Sequence, residues 1–259
     1  MTTIIAVGNQ KGGVAKTTTV MSLGGALVEM GQSVLLVDLD AQANLTLSTG
    51  ADPAKMRATI ADVLMQSANL YSVSRETSIP GMDLVPANAE MDLAERFLPV
   101  RQNYESILRS AFNGQEAYDY VLLDCPPSVG VVTQNALNAA HMLIIPTQAE
   151  YFSAHALRSM LGATRRIRQQ LNPALVTRIL ITMFDQRNRI HREISEQLRA
   201  TFSDSLFETV IQLDTKLRES AVAGLPITHY LSHTRGTLQY RALAQEIVQY
   251  VQETAQQPD

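Results

Sequence analysis

Short apolar runs alternate along the chain with stretches of helical periodicity, and this alternation restricts the fold more than any other feature of the sequence. Most of the runs are apolar on both faces, which is typical of strands in a parallel sheet covered on both sides by helices. The predicted strands are Ile4–Val7, Val34–Val37, Met82–Val85, Tyr120–Leu123, Met142–Ile145, Ile179–Met183 and Leu206–Ile211.

Helical stretches separate most of these runs, and no repeat, low-complexity tract or linker divides the chain. We therefore predict an α/β fold with a mostly parallel, doubly wound sheet and helices on both faces, formed by residues 1–259 as a single domain. The predicted helices are Thr17–Met30, Met91–Phe97, Ser106–Phe112, Val131–Ala139, Ala154–Leu171, Arg189–Thr201 and Leu238–Thr254.

Composition excludes several protein classes. With 46% hydrophobic and 18% charged residues, the chain is too apolar to be disordered. No apolar run approaches the ~18 residues of a membrane span. Cys125 is the single cysteine, which excludes an internal disulfide. The first strand-like segment, Thr3–Val7, follows no basic region or cleavage site, so we expect a cytoplasmic protein.

Charge is distributed unevenly around the net value of −4. Residues 1–155 carry 8 basic and 15 acidic side chains, whereas residues 156–259 carry 13 basic and 10 acidic ones. Nine arginines lie between Arg158 and Arg199. Because arginine contacts phosphate in a bidentate manner, this region is either a solvated helix face or a local surface for a polyanion.

A glycine-rich segment, Gly8–Thr18, joins the first strand to the first helix. In such a turn the backbone N–H groups point at phosphate oxygens, Lys16 reaches the β- and γ-phosphates, and the Thr17 hydroxyl binds Mg²⁺. The ordinary phosphate-loop spacing is not met, because Gln10 and Ala15 occupy the positions that require glycine. A tight turn with incidental lysines is the alternative.

Acidic residues follow two of the predicted strands. Asp38 and Asp40 come after the second strand, and Asp124 ends an apolar run in the Walker B arrangement, whose carboxylate holds Mg²⁺ directly or through water. An acidic residue at the position of Asp38 or Asp40 can hold Mg²⁺ or position the attacking water. The alternative is that Asp38 or Asp40 caps the next segment of the chain.

At these residues the sequence resembles the ParA/MinD superfamily. Lys11–Thr17 is similar to the deviant Walker A motif Lys-Gly-Gly-x-x-Lys-[Ser/Thr], Asp38–Gln42 to the Asp-x-Asp-Pro-Gln segment, and Leu123–Ser128 to the Walker B segment. The resemblance covers almost the whole chain and implies a P-loop NTPase fold. Thr182–Asp185 and Gly224–Ile227 resemble chromosomal-type, Soj-like ParA proteins.

The resemblance implies a role for each residue of the site. Lys11, Lys16 and Asp40 are expected to be catalytic, with Lys11 reaching the partner's nucleotide in an ATP-sandwich dimer and Asp40 orienting water. Mg²⁺ is expected at Thr17, Asp38 and Asp124. The expected nucleotide-binding residues are Lys11, Gly12, Gly13, Val14, Ala15, Lys16, Thr17, Thr18 and Met183.

The implied function is slow, partner-stimulated ATP hydrolysis that positions a plasmid, a chromosome origin or a carboxysome on the nucleoid, with ATP and Mg²⁺ as cofactors. The implied partners are a second copy of the chain, nonspecific double-stranded DNA and a ParB-like or McdB-like adaptor. The candidate phosphate contacts on DNA are Arg187, Arg189, Arg192, Lys216 and Arg218.

Two alternatives use the same scaffold. A MinD-like membrane ATPase needs a basic amphipathic helix at its end, but no basic residue follows Arg241, so we expect no membrane partner. A metabolic ligase would leave Lys11 unexplained. The sequence also departs from the family pattern: Ala15 replaces a glycine, Ala41 and Ala221 replace prolines, and Lys216 replaces an arginine. The Ala15 methyl group is expected to slow turnover.

Overall fold

Eight strands form one sheet in the order β3-β4-β2-β5-β1-β6-β7-β8 in the computed structural model, which describes residues 2–113, 117–151 and 153–255. All neighbouring strands are parallel except β3 and β4. The strands are β1 (Thr3–Val7), β2 (Val34–Asp38), β3 (Arg75–Glu76), β4 (Met82–Val85), β5 (Tyr120–Asp124), β6 (Met142–Gln148), β7 (Val176–Phe184) and β8 (Leu206–Gln212).

The predicted α/β class and all seven predicted strands are confirmed. The sequence prediction missed β3, a two-residue edge strand with no apolar run to mark it. The helices are α1 (Lys16–Glu29), α2 (Asn44–Ser48), α3 (Ile60–Gln66), α4 (Leu70–Val73), α5 (Met91–Phe97), α6 (Ile107–Phe112), α7 (Val131–Ala139), α8 (Ser153–Gln170), α9 (Arg189–Phe202), α10 (Lys216–Val222), α11 (Ile227–Tyr230) and α12 (Arg235–Ala255).

Alternate residues of the central strands pack into two separate cores. Ile4 and Ala6 lie in one core with residues of α3–α9, and Ile5 and Val7 lie in the other with residues of α1, α2, α10, α11 and α12. Side chains of a strand point alternately to its two faces, so the two cores are the two faces of the sheet. The predicted helices on both faces are confirmed.

The strand order places several loops at one edge of the sheet. β1 lies between β5 and β6, and the carboxyl ends of β2, β5 and β1 are adjacent, with Asp38 and Val7 both in register with Asp124. In doubly wound folds ligands bind at this edge, where the strand order reverses. None of the helices within the described ranges is long and apolar enough to cross a bilayer.

Candidate functional site

A cleft of about 730 Å³ opens at this edge, and the loop between β1 and α1 forms one of its walls. Gly12 and Gly13 line it, and a Cβ atom at either position would meet open space, so the backbone is accessible to a ligand. Gly13 has φ +70°, a conformation that favours glycine. From the same loop, Ala15, Lys16, Thr17 and Thr18 also line the cleft.

Ala15 has φ 68° and ψ 34°, although it is not a glycine. A side chain in this left-handed region costs roughly 1–2 kcal/mol. The surrounding loop is held by hydrogen bonds from other strands: Thr182 Oγ1 donates to the carbonyl of Val14 at 3.0 Å, and Gln148 Nε2 donates to that of Gly13 at 3.3 Å. The glycine usual in this family would adopt the same backbone without strain.

Lys16 is the first residue of α1, and its side chain is largely buried beside the cleft. Its Nζ lies 3.5 Å from the carbonyl of Lys11. Burial lowers the pKa of Lys16, while the negative charges of Asp124 and Asp40 oppose that shift. The ammonium group is therefore poorly solvated and has acidic neighbours, which favours binding of an anionic ligand next to it.

Asp124, at the end of β5, has one satisfied and one unsatisfied carboxyl oxygen. Thr17 Oγ1 donates to its Oδ2 at 2.7 Å, whereas Oδ1 is buried with no hydrogen-bond partner within the described part of the chain. Burial raises the pKa of Asp124 well above its usual value, and the nearby charge of Asp38 adds to this shift. A buried carboxylate that lacks a partner beside a hydroxyl group fits Mg²⁺, which prefers oxygen ligands.

No group of three or more histidine, cysteine or acidic side chains capable of holding a metal occurs among residues 2–113, 117–151 and 153–255. Mg²⁺ often binds through one or two protein ligands together with water and substrate phosphates. The pair Thr17 and Asp124 fits this mode of binding. Their positions, one on α1 and one on β5, place such an ion next to the phosphate loop.

Asp38 is fully buried and already has protein partners on both oxygens. Its Oδ2 accepts hydrogen bonds from the backbone N–H of Thr46 at 2.8 Å and from Thr46 Oγ1 at 2.7 Å, and its Oδ1 accepts one from the N–H of Asp40 at 3.1 Å. Burial raises the pKa of Asp38 to about 6, against the opposing effect of these hydrogen bonds. Asp38 thus anchors α2 to the end of β2 and holds the start of the Asp40 loop.

Asp40 also lines the cleft and is partly exposed. Its Oδ1 accepts a hydrogen bond from the N–H of Gln42 at 3.0 Å. A second, smaller depression of about 370 Å³ lies on the other side of Asp40 and is also lined by Ala41 and Pro127. A water molecule can therefore approach the Asp40 residue from this depression as well as from the cleft.

Lys11 does not line the cleft. Its Nζ donates to Gln148 Oε1 and to Glu150 Oε2, each at 2.7 Å, and to Ser153 Oγ at 3.3 Å. These partners lie at the end of β6 and the start of α8. The two lysines of the loop consequently have different surroundings, because Lys16 faces the cleft and Lys11 points away to an acidic partner.

The opposite wall of the cleft is formed by the ends of β7 and β8 and by α10. Met183 lies there, with φ 53°, and its Sδ accepts a hydrogen bond from Gln148 Nε2 at 3.0 Å. For the nucleotide site the sequence prediction named only Met183 on this wall, and it assigned Arg218, which also lies there, to DNA. It missed the residues that follow β8, namely Leu213, Asp214, Leu217, Ala221 and Val222, together with Leu47 and Ser48 of α2.

A family model described as an AAA domain matches residues 2–177. The chain is 37% identical over 251 residues to the chromosome partitioning protein ParA of Caulobacter vibrioides, covering 95% of this chain and 93% of the relative. It is 36% identical to the sporulation initiation inhibitor protein Soj of Bacillus subtilis, covering 94% and 97%. The chain belongs to the ParA/Soj family of partition ATPases.

The similar solved structures include cobyrinic acid a,c-diamide synthase from Mycobacterium smegmatis with bound ADP and magnesium. It is 35% identical, covers all of this chain and 98% of its own, and has a TM-score of 0.82. The predicted family and fold are confirmed by these comparisons. That relative binds an adenine nucleotide and magnesium, the cofactor pair that the motifs predict for this chain.

The five candidate DNA contacts lie after the ends of two adjacent strands. Arg187, Arg189 and Arg192 follow β7, and Lys216 and Arg218 follow β8. The two segments touch, since the N–H of Leu213 donates to the carbonyl of Phe184. The structure therefore brings all five to the edge of the sheet that also holds the phosphate loop.

Most of these basic groups have an intramolecular partner that the charge count did not reveal. Arg187 pairs with Asp185, Arg189 with Glu193 at 2.7 Å and Lys216 with Glu219 at 2.7 Å, while Arg192 donates to the carbonyl of Gln186. Arg218 lines the cleft itself. The Arg189 and Lys216 pairs have the (i, i+4) and (i, i+3) spacing that a sequence reading detects.

Proposed function

We propose that the chain, as one domain, is a partition ATPase that binds ATP and Mg²⁺ in the cleft and forms an ATP-sandwich dimer. The dimer binds nonspecific double-stranded DNA on the nucleoid in the cytoplasm and positions a plasmid, a chromosome origin or a carboxysome. A ParB-like or McdB-like adaptor stimulates its slow hydrolysis. The observation that carries this proposal is the position of Lys11 outside the cleft of its own subunit.

Lys11 is suited to act on a second subunit. A loop lysine that served its own nucleotide would point into the cleft, as Lys16 does. Lys11 instead remains partly exposed, with 27% of its side chain accessible, and its contact with Glu150 is a surface ion pair. Such pairs contribute only ~0–1 kcal/mol, so triphosphate from a partner subunit displaces Glu150 at little cost. Dimerisation then depends on the nucleotide.

The remaining catalytic roles follow from the surroundings of each side chain. Lys16 neutralises phosphate charge from within the subunit, and Thr17 with Asp124 holds Mg²⁺. When bound, Mg²⁺ supplies charge neutralisation at the phosphates. Asp40 orients the attacking water from the open side of the cleft, while Asp38 keeps the Asp40 loop in place through Thr46. Charge neutralisation and positioning are the two requirements of phosphoryl transfer.

DNA binding is supported by the basic residues after β7 and β8, which lie on the same edge as Lys11. Because three of them are paired with acids, the field of a single subunit is weak, and a phosphate contact at any of these three must displace an intramolecular partner. Two subunits that meet at the nucleotide edge would double the number of contacts. This makes DNA affinity dependent on ATP and steeply dependent on salt.

Membrane binding of the MinD type has less support. The last basic residue of α12 is Arg241, and its guanidinium pairs with Glu29 of α1 at 2.7 Å. The described residues of α12 beyond it carry no base, so this helix lacks the positive face that attracts anionic headgroups. An amide-forming ATPase is a second candidate, favoured by the name of the M. smegmatis relative. That chemistry requires neither Lys11 nor dimerisation driven by ATP.

The test is the molar mass of Lys11→Ala in solution, measured by light scattering with ATP and Mg²⁺, with ADP and without nucleotide. Wild type should be dimeric only with ATP and Mg²⁺. Lys11→Ala should bind ATP and stay monomeric, because the charge that crosses to the partner is missing.

Asp40→Ala is the matched control from the same edge. It should bind ATP and accumulate as a dimer, since loss of the water-orienting carboxylate stops hydrolysis without affecting association. A dimer of Lys11→Ala with ATP, in the same proportion as wild type, would reject the proposal. Wild type that remains monomeric with ATP while turning it over with a carboxylate substrate would favour the amide-forming alternative.

A further inference from the structure

A basic pocket lies at the amino ends of β7 and β8, on the edge of the sheet opposite the nucleotide cleft. It has a volume of about 530 Å³, and its polar lining includes Thr164, Arg165 and Arg168 of α8, Thr177 of β7 and Ser205 just before β8. Two guanidinium groups and the hydroxyl groups of Thr177 and Ser205 thus line one concave surface, whereas the Thr164 hydroxyl donates to the carbonyl of Met160 at 2.9 Å. This combination of donors matches the oxygen atoms of phosphate.

The charged side chains of α8 all have the same sign. Helix α8 spans 18 residues with four arginines, Arg158, Arg165, Arg166 and Arg168, and no acidic residue. All four are exposed. Within the described ranges they make no hydrogen bond or ion pair, in contrast to Arg187 and Arg189 at the nucleotide edge, which pair with acids. The unneutralised charge of the molecule is therefore concentrated on α8.

The elements packed around the pocket add positive charge. Arg109 donates to the carbonyl of Leu171 at the end of α8, at 3.4 Å, and Arg178 of β7 donates to the carbonyl of Asp204. Asp204 is the acid next to the lining, and its carboxylate accepts a hydrogen bond from Ser203 Oγ. Further along β8, Glu208 pairs with Arg199, and Glu246 of α12 accepts hydrogen bonds from the N–H groups of Glu208 and Thr209. The described residues that line the pocket itself include two arginines and no acid, so its lining is positive.

The extent of this face indicates what it binds. Arg158 and Arg165 lie on one stripe of the helix, seven residues or about 10 Å apart, which is the axial length of about three phosphates on one strand of a duplex. Between them a Cβ atom at Gly162 would meet nothing within 4 Å, so the surface is open. A single small anion in the pocket would leave Arg158 and Arg166 without a partner.

We propose that α8, with its pocket at Arg165 and Arg168, is a second contact surface for the phosphate backbone of double-stranded DNA. The proposal takes its ligand class from the proposed function, but not its dependence on ATP. Because this surface lies at the edge remote from the nucleotide, it acts in the monomer. It keeps the protein weakly associated with DNA between cycles of dimerisation.

The test compares Arg165→Glu/Arg168→Glu with the control Arg57→Glu/Arg96→Glu. The control changes the net charge equally and replaces two exposed arginines elsewhere on the surface. Binding of a short labelled duplex of unrelated sequence is measured by fluorescence anisotropy over a range of salt concentrations without nucleotide. The α8 variant should lose about tenfold or more in affinity, with a slope of log K against log salt reduced by about 2, whereas the control should stay close to wild type.

Equal losses in the two double variants would overturn the proposal, because net charge alone would then explain the binding. Stronger displacement of the duplex by poly-glutamate or by tripolyphosphate than by unlabelled duplex would also overturn it, in favour of an acidic protein or a small phosphate ligand. Arg165→Gln/Arg168→Gln, which adds no negative charge, should reproduce about half of the slope change or more.

Dimerisation with ATP, measured on the same α8 variants, separates this inference from the proposed function. It should be unchanged, because α8 arginines do not line the cleft. If wild type fails to dimerise but its nucleotide-free DNA binding still depends on Arg165 and Arg168, the proposed function fails and this inference stands.

Discussion

The two walls of the nucleotide cleft are built differently. The wall formed by β1, β2 and β5 places buried charged groups, Lys16, Asp38 and Asp124, in fixed positions. The wall formed by β7, β8 and α10 presents exposed side chains, among them Arg218 and Val222, which is 91% accessible. The phosphate wall is organised before a ligand arrives, whereas the other wall has little to hold its side chains.

This difference has an energetic cost on the phosphate wall. Burial raises the pKa values of Asp38 and Asp124, which lie on neighbouring strands. In addition, Ala15 occupies a strained backbone conformation. Such features persist where function requires them and the surrounding structure holds them in place. We therefore expect substitutions on the phosphate wall to alter nucleotide binding strongly and those on the β7–β8 wall to alter it weakly.

Asp124→Asn is expected to have the largest effect. The amide oxygen still accepts the hydrogen bond of Thr17, so the fold is kept, but the negative charge that fits Mg²⁺ is lost. The gain in ATP affinity produced by Mg²⁺ should fall by about 10- to 100-fold or more. Titration of a fluorescent ATP analogue with Mg²⁺ and with EDTA measures this gain.

Asp83→Asn is the matched control. Asp83 lies on β4, away from the cleft, and its carboxylate accepts a hydrogen bond from the hydroxyl group of Tyr118. It should leave the effect of Mg²⁺ unchanged. If Asp124→Asn retained the full effect of Mg²⁺, the ion would not depend on the phosphate wall, and the contrast between the walls would lose its chemical basis.

Ala15→Gly tests the strain on the same wall. Relief of the left-handed backbone, offset in part by the greater freedom of glycine in the unfolded chain, should raise the free energy of unfolding by up to about 1 kcal/mol. Turnover of ATP should rise as the methyl group leaves the cleft. Urea unfolding followed by circular dichroism measures the stability.

Gly13→Ala is the reverse change, because Gly13 has φ +70°. It should lower the free energy of unfolding by about 1 kcal/mol. Gly12→Ala is the comparison within the loop, since its backbone lies outside the left-handed region and a Cβ atom there meets open space. A destabilised Ala15→Gly variant would show that the methyl group is needed for packing and that the strain is not real.

The phosphate wall could be predicted from the sequence because its residues are contiguous with apolar strands. Asp38 and Asp124 end strands that the alternation of apolar runs identifies, Lys16 begins the helix after the loop that follows β1, and parallel strands bring their carboxyl ends together. The partners of these residues could not be predicted. The bonds of Asp38 to Thr46 and of Lys11 to Glu150 depend on the path of loops, which local patterns do not determine.

The other wall could not be predicted because its residues are individually ordinary. Leu213 directly follows β8, and Leu217 and Val222 lie on α10, a helix of 7 residues that makes only about two turns. They line the cleft because of the tertiary arrangement. The strand order places β8 two strands from β6, and α10 and the β1–α1 loop line the same cleft. Helices α2, α3, α4 and α11 were missed as well, although α5 and α6, with 7 and 6 residues, were predicted, so length alone does not separate the two groups.

Arg218→Ala is expected to have the smallest effect and tests the open wall directly. Arg218 is exposed and lines the cleft, and an exposed charge contributes about 0.2–1 kcal/mol, so ATP affinity should fall by at most about fivefold. Lys216→Ala is the matched control, because Lys216 lies on the same helix but pairs with Glu219 and does not line the cleft. Equilibrium titration with ATP at low and moderate salt measures both variants, and the difference between them should shrink as salt screens the charge.

A loss of ATP affinity above tenfold in Arg218→Ala would show that the open wall contributes as much as the phosphate wall. Unchanged ATP affinity together with weaker DNA binding would assign Arg218 to the DNA surface alone.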